Sequence, residues 1–228
     1  MYVKLVGHSF ARYVRNYAVK DISLKPREAP TDGESGSAFF ARKCAESLDL
    51  DGHFGSFYIY TQGIVMISDV IISQGQDILA PPPHAHIGEK GVVVLDIGSN
   101  DLASLQHIDR TAVAALATSL ITLANNFRSE LVVIQAVLPR IFHSDNKTNV
   151  FRVNADHFNS IVSLYAKHSR HVHYNKCKGF IWKDVQGIAV RVQVNEWSSD
   201  GIHVNTNAMP KYIKKMRMTI LDTLRFID

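Results

Sequence analysis

The chain has 228 residues, 46% of them hydrophobic and 20% charged, with a formal net charge of +4. That length suits one ordinary domain, and the composition is typical of a globular protein with a buried core. Cys44 and Cys177 are the only cysteines, too few for a disulfide framework, and the most apolar helical stretch, Ala112 to Ala124, is too short and too broken by Thr and Ser to span a bilayer.

The N-terminus carries no basic run and no cleavage site ahead of Val3, so an intracellular, cytoplasmic setting is expected. Val3 to Val6 reads as a buried strand ending at Gly7, and Phe10 to Val19 as a helix with Phe10, Tyr13, Val14 and Tyr17 on one face. Lys25 to Gly36 holds two prolines and two glycines and reads as a loop insertion, about residues 20–37. Ala38 to Leu48 fits a short amphipathic helix, and Phe57 to Ile59 a strand that runs out at Thr61-Gln62-Gly63. Val65 to Ile72 leans towards helix, with Asp77 to Leu79 ahead of the break at Pro81-Pro82-Pro83.

Val92 to Ile97 is apolar and β-branched without alternation, the pattern of a strand covered on both faces. Thr111 to Phe127 reads as a long helix, Leu131 to Val137 as another buried strand stopped by Pro139, Asn154 to His168 as a helix and His171 to Tyr174 as a short strand. An irregular segment follows at about 182–198, with a hairpin expected at Val190 to Val194; Met209 to Phe226 closes the chain as a helix. Strands alternating with helices predict a single α/β domain over 1–228: a three-layer α/β/α sandwich around a central parallel sheet of about five strands.

Three blocks carry the chemistry, two of them at predicted strand ends. Gly7-His8-Ser9-Phe10 closes the first strand, Gly98-Ser99-Asn100-Asp101 the middle one, and Asp200-Gly201-Ile202-His203 precedes the last helix. A serine between a strand end and a helix start lies where α/β proteins keep their sites, with backbone N–H groups suited to a developing oxyanion. Taken alone, Ser9 reads as a helix cap. Asn100 supplies a side-chain N–H2 donor, Gly63 at the end of the second strand a backbone donor, and D-x-x-H delivers a base with its orienting acid from one short loop. His203 Nε2 would take the Ser9 proton, while Asp200 holds Nδ1–H. Ser9 follows the first strand and not a later one, which argues against a G-x-S-x-G nucleophile elbow. Val94-Leu95-Asp96-Ile97-Gly98 also resembles the first glycine-rich motif of methyltransferases that bind S-adenosylmethionine, but the repeated glycines that motif needs are not there.

Together the blocks resemble those of the SGNH hydrolases, the GDSL-type esterase/lipase superfamily, whose four blocks contribute Ser, Gly, Asn and His. Ser9 matches the nucleophile, Gly63 the block-two glycine, Asn100 the asparagine of G-x-N-D, and Asp200 with His203 the D-x-x-H. Two departures stand out: His8 replaces the usual Asp of the first block, and the second block lacks its usual Asn and second Gly. The resemblance implies an SGNH/flavodoxin-like fold and a serine esterase acting on small acyl esters, such as acetyl on lipid or sugar. Ser9, Gly63 and Asn100 would hold the oxyanion, and neither metal nor organic cofactor would be needed.

Other residues permit other readings. His84 with His86 and His171 with His173 form H-x-H pairs, but no third metal ligand has suitable spacing nearby. Lys211, Lys214 and Lys215 share a helical face, either solvated or a patch for anionic membrane or nucleic acid. The corresponding alternative function is a non-catalytic binding or scaffold module, resembling the esterase domains in first-frame proteins of some LINE-type retrotransposons.

Overall fold

The computed structural model describes residues 2–7, 58–63, 66–67, 79–81, 90–177, 180, 182–185, 188–191, 200–205 and 207–226. The apolar runs become strands: β1 (Tyr2–Gly7), β2 (Tyr58–Gly63), β3 (Gly91–Asp96), β4 (Leu131–Gln135) and β5 (Val172–Asn175). They form one sheet in the order β2-β1-β3-β4-β5, every pair parallel. The chain winds outward from β1 to β2, then returns to the far side of β1 and winds outward through β3, β4 and β5. The reversal lies between β1 and β3, which makes a crevice at their C-terminal ends, the usual ligand position in open parallel sheets.

Both faces of the sheet are covered, as the continuous hydrophobicity of β3 requires. Val92 and Val94 face a cluster with α4 (Met209–Leu224), whose Met209, Tyr212, Ile213, Met216 and Ile220 recur at helical spacing. Val93 and Leu95 face the opposite cluster, built with α2 (Arg110–Asn126) and α3 (Asp145–Ala166) through Leu120, Phe151, Phe158 and Val162. The predicted parallel sheet with helices on both sides is therefore what forms, with five strands in the main sheet.

Local signals open α2 and α3. The Asp109 side chain accepts the Ala112 N–H at 2.9 Å and opens α2 close to its predicted start at Thr111. Helix α3 begins nine residues earlier than the predicted Asn154, after Ser144, whose hydroxyl accepts the Lys147 N–H at 3.3 Å. Its first turns, Asp-Asn-Lys-Thr-Asn, are weak helix formers, and burial of Val150 and Phe151 outweighs that propensity. A short helix α1 (Ser99–Ser104), absent from the sequence reading, follows β3.

Strand β2 extends through Gly63, beyond the predicted run at Phe57 to Ile59, and β4 stops at Gln135, two residues before the predicted end at Val137. The expected hairpin at Val190 to Val194 lies earlier, as an antiparallel pair of β6 (Trp182–Val185) and β7 (Ile188–Arg191). Ile67 is helical and buried, in line with the helix expected over Val65 to Ile72, most of which lies outside the described residues. The predicted helices at Phe10 to Val19 and Ala38 to Leu48, the insertion at Lys25 to Gly36, and the histidines His84 and His86 also lie outside them. Among the described residues, no helix is long and apolar enough to cross a membrane.

Candidate active site

Register brings the strand ends together. Gly7 pairs with Gly63 on one side and with Asp96 on the other, so the last residues of β2, β1 and β3 stand level at the crevice. A Cβ on Gly7 would come within 2.6 Å of the Asp96 carbonyl oxygen, so only glycine lets β1 end this close to β3. Ser9, two residues beyond Gly7, and His8 lie outside the described residues. Gly63 is at the C-terminal end of β2, the position assigned to the block-two glycine.

Asn100 sits on α1. The helix starts from Gly98, which has φ of 103° and lies against Phe158; a Cβ there would meet the Phe158 ring at 3.1 Å. This backbone requirement accounts for the glycine of Val94-Leu95-Asp96-Ile97-Gly98 without a cofactor. Among the described residues, no side chain caps α1. The Arg140 guanidinium is buried and reaches across from beyond β4. Its Nη2 donates to Ser99 Oγ at 2.6 Å and to Asn100 Oδ1 at 2.8 Å. The next residue of the motif, buried Asp101, turns its carboxylate the other way. Its two oxygens accept the Ile67 N–H at 3.1 and 3.2 Å, tying α1 to the chain four residues beyond Gly63.

The D-x-x-H loop is built by its own aspartate. Asp200 Oδ1 accepts the N–H groups of Ile202 and His203 at 2.8 and 3.0 Å, closing a tight turn. Its Oδ2 accepts the His203 Nδ1–H at 2.5 Å. One carboxylate thus shapes the loop and fixes the imidazole tautomer, leaving Nε2 as the basic nitrogen. Gly201 has φ of 70°, and its carbonyl accepts the Ile141 N–H at 2.9 Å, docking the loop beside Arg140.

The polar groups behind this edge are desolvated. Burial pushes the Asp96 carboxyl up to about 6, against the opposing hydrogen bond from Tyr212 and the Arg140 charge. The Tyr212 hydroxyl donates to Asp96 Oδ2 at 3.2 Å, and its own titration is pushed up by burial and by Asp96. Asp96 thus pairs with a side chain at the end of the central strand. Burial also pulls the Arg140 guanidinium down to about 10, while Asp96 and Asp200 act in the opposite sense. Arg140 remains a cation at neutral pH.

The structure joins Asp200 to His203, sets Gly63 level with Gly7, and links Asn100 through Arg140 and Ile141 to the D-x-x-H loop. Sequence reading missed Arg140 and the bracing role of Asp101. The available signal was a cation in Pro139-Arg140, just past the end of a buried strand.

The other candidates have different surroundings. His171 Nδ1 meets the Glu130 carbonyl at 3.0 Å, and the His173 ring lies 5.1 Å from that of Phe226. Among the described residues, no three His, Cys, Asp or Glu side chains gather as a metal set. Of the three tail lysines, Lys211 stands over the Phe180 ring at 5.3 Å, Lys214 is exposed, and Lys215 borders a cavity of about 560 Å³ with Lys167, His173 and Lys176. Neither that cavity nor its neighbour of about 610 Å³ is lined by Asn100, Arg140, Asp200 or His203.

The sequence matches no protein-family model and no curated protein. Solved structures do match. A GDSL-like lipase of Bacteroides thetaiotaomicron aligns at 12% identity with a TM-score of 0.56, covering 97% of this chain and 88% of its own. A protein of Slackia heliotrinireducens assigned to the SGNH hydrolases aligns at 12% identity and 0.52, over 96% and 98% of the two chains. An acetyl esterase variant solved with acetate ion aligns at 12% identity and 0.52, over the whole of both. Likeness at this identity is a likeness of fold, and it agrees with the strand order and layers seen here: the chain has the fold of the SGNH hydrolases, the GDSL-type lipases and esterases.

Proposed function

We propose that this chain is a serine esterase of the SGNH type. The observation that carries the reading is the Asp200–His203 pair: a carboxylate 2.5 Å from Nδ1, on a loop whose Gly201 carbonyl accepts the Ile141 N–H beyond the C-terminal end of β4. Ser9 Oγ attacks the ester carbonyl as its proton passes to His203 Nε2. Asp200 stabilises the imidazolium. The backbone N–H groups of Ser9 and Gly63 and the Asn100 side-chain N–H2 hold the oxyanion. His203 then returns the proton to the leaving alcohol. The acyl group stays on Ser9 until water, activated by the same imidazole, releases the acid. No metal or organic cofactor takes part.

The preferred substrates are small acyl esters, acetyl above all, carried on lipid or sugar. The family resemblance favours this choice, and one of the structural neighbours is itself an acetyl esterase.

A fluorophosphonate probe tests the nucleophile. Ser9 should carry the label by mass spectrometry, and Ser9→Ala should lose both the label and p-nitrophenyl acetate turnover. A folded protein that neither labels nor hydrolyses any of a series of short and longer esters would overturn the reading. Salt-dependent binding to polyanions would then favour the binding module, with Lys211, Lys214 and Lys215 as the residues to change.

A further inference from the structure

We infer that Arg140 is the positioning residue for the oxyanion donor: its guanidinium holds the oxygen of the Asn100 amide and so turns the N–H2, the end an oxyanion needs, away from the arginine. The inference rests on the esterase reading above and adds a residue to that site.

The argument begins with hydrogen-bond chemistry. An asparagine amide has a donor end and an acceptor end of nearly identical shape, and only one of them can stabilise an oxyanion. Arginine has donors and no acceptor. The 2.8 Å contact from Arg140 Nη2 to Asn100 must therefore reach the oxygen. With Oδ1 committed to the arginine, a flip of the amide would set N–H2 against a guanidinium and lose a charge-assisted bond inside the protein.

The same Nη2 donates to Ser99 Oγ, so two consecutive residues of α1 are held by one nitrogen. That hold matters because α1 is six residues long and begins at a left-handed glycine, which has no side chain to cap it. The Leu102 N–H donates to the Gly98 carbonyl at 3.0 Å, and Arg140 adds a side-chain hold on the same first turn.

Arg140 is itself held from several elements. It is 6% exposed, and its guanidinium carbon lies 5.8 Å from the Phe151 ring of α3. The carboxylates of Asp96 on β3 and Asp200 on the D-x-x-H loop act on it through space. The adjoining Ile141 N–H bonds the Gly201 carbonyl. A buried cation kept only for stability would be expected to pair directly with a carboxylate. Arg140 instead spends its hydrogen bonds on two neutral oxygens at the candidate oxyanion donor. The two negative charges hold the cation in place while its N–H groups do the orienting.

The test compares Arg140→Ala, Arg140→Lys, Asn100→Ala and the double variant Arg140→Ala/Asn100→Ala. Each is measured for kcat and KM on p-nitrophenyl acetate and for its melting curve, after wild-type turnover and Ser9 labelling have been established. Asn100→Ala should lower kcat by about 10²–10³-fold. Arg140→Ala should lower it by about 10–100-fold with KM little changed. The double variant should be no worse than Asn100→Ala alone, because both changes remove the same donor. Millimolar guanidinium should restore part of the Arg140→Ala rate and none of the Asn100→Ala rate.

If Arg140→Ala does not fold, Arg140→Lys carries the test. It keeps a cation between Asp96 and Asp200 but lacks the planar fork, and its kcat should still fall. Losses that multiply in the double variant, or wild-type kcat in a folded Arg140→Ala or Arg140→Lys, would overturn the inference and leave the esterase reading standing. A wild-type protein without label or turnover would overturn both.

Discussion

Two halves of one candidate site are held in opposite ways. The Asp200–His203 half closes on itself: the carboxylate, the turn it caps and the imidazole it orients lie within four consecutive residues. The Asn100 half depends on distant partners. Arg140 holds the amide from 40 residues away, and Asp101 braces a backbone N–H 34 residues away. A local device survives small shifts of the surrounding fold, because its parts move together. A device assembled from β3, the β4 edge and the segment after β2 keeps its geometry only as well as those elements keep theirs. Replacing the Asp200 or His203 side chain should therefore strike chemistry with little effect on stability, and substitutions in the second half should strike stability as well.

The largest effect should come from the self-contained half. In Asp200→Asn the remaining oxygen can still accept the N–H groups of Ile202 and His203, so the turn persists. The new N–H2, however, faces Nδ1 and forces that nitrogen to accept, which puts the imidazole proton on Nε2, where the base should be. Turnover of p-nitrophenyl acetate should fall by about 10⁴-fold with the melting temperature nearly unchanged. A large drop in melting temperature would mean that the turn depends on the charge and that the half is less self-contained than its hydrogen bonds suggest.

The second effect belongs to the distributed half and reads out as pH dependence. Burial raises the Asp96 carboxyl from 3.8 to about 6. Between those values the folded chain holds a proton that the unfolded chain has released. Stability should therefore fall as pH rises from about 4 to about 6, and the fall should level off above 6. Its size is about 3 kcal/mol for this group. Urea unfolding at pH 4, 5, 6 and 7 should show this decline in the wild type beyond that in Asp96→Asn. Parallel curves for the two proteins would show that Asp96 ionises in the fold as it does in the open chain.

Third comes the joint between the halves. Gly201 has φ of 70°, and a Cβ there would meet the Ile141 carbonyl oxygen at 2.4 Å. Both atoms of that clash are anchored to backbone, so the loop must shift. Gly201→Ala should cost about 2–3 kcal/mol and lower turnover, because it moves the whole Asp200–His203 unit away from the sheet edge. If the variant loses stability but keeps its rate, the loop and Arg140 are coupled less tightly than the Ile141–Gly201 hydrogen bond implies.

The same division explains what the sequence made legible. The sheet was readable because Val92 to Leu95 is buried on both faces and so shows no alternation. The D-x-x-H unit was readable because its partners are three residues apart. The first turns of α3 were not, since Asn and Thr in isolation disfavour helix and only the buried Val150 and Phe151 decide the matter. Arg140 was not, because no spacing rule relates it to Asn100; they meet only once β3 and β4 have paired. The hairpin was placed late because β-branched residues continue past Arg191, and composition alone gives no register.

Asp101 offers the smallest effect and the sharpest test of the comparison. It stands beside Asn100 in sequence, yet its carboxylate points towards the segment after β2 and accepts the Ile67 N–H with both oxygens. Asp101→Ala removes that acceptor and leaves a buried N–H without the carboxylate it now meets, at a cost of about 1–2 kcal/mol. Asp101→Asn keeps one oxygen and should cost less. If α1 is held mainly by Arg140, both variants should melt lower than the wild type and keep most of their turnover. If the carboxylate is what spaces Gly63 from Asn100, turnover should fall with Asp101→Ala and recover in Asp101→Asn, because a neutral oxygen can still receive the same N–H. Parallel melting and kcat measurements on the two variants separate these outcomes. They decide whether the distributed half hangs from one arginine or is braced from both sides of β1.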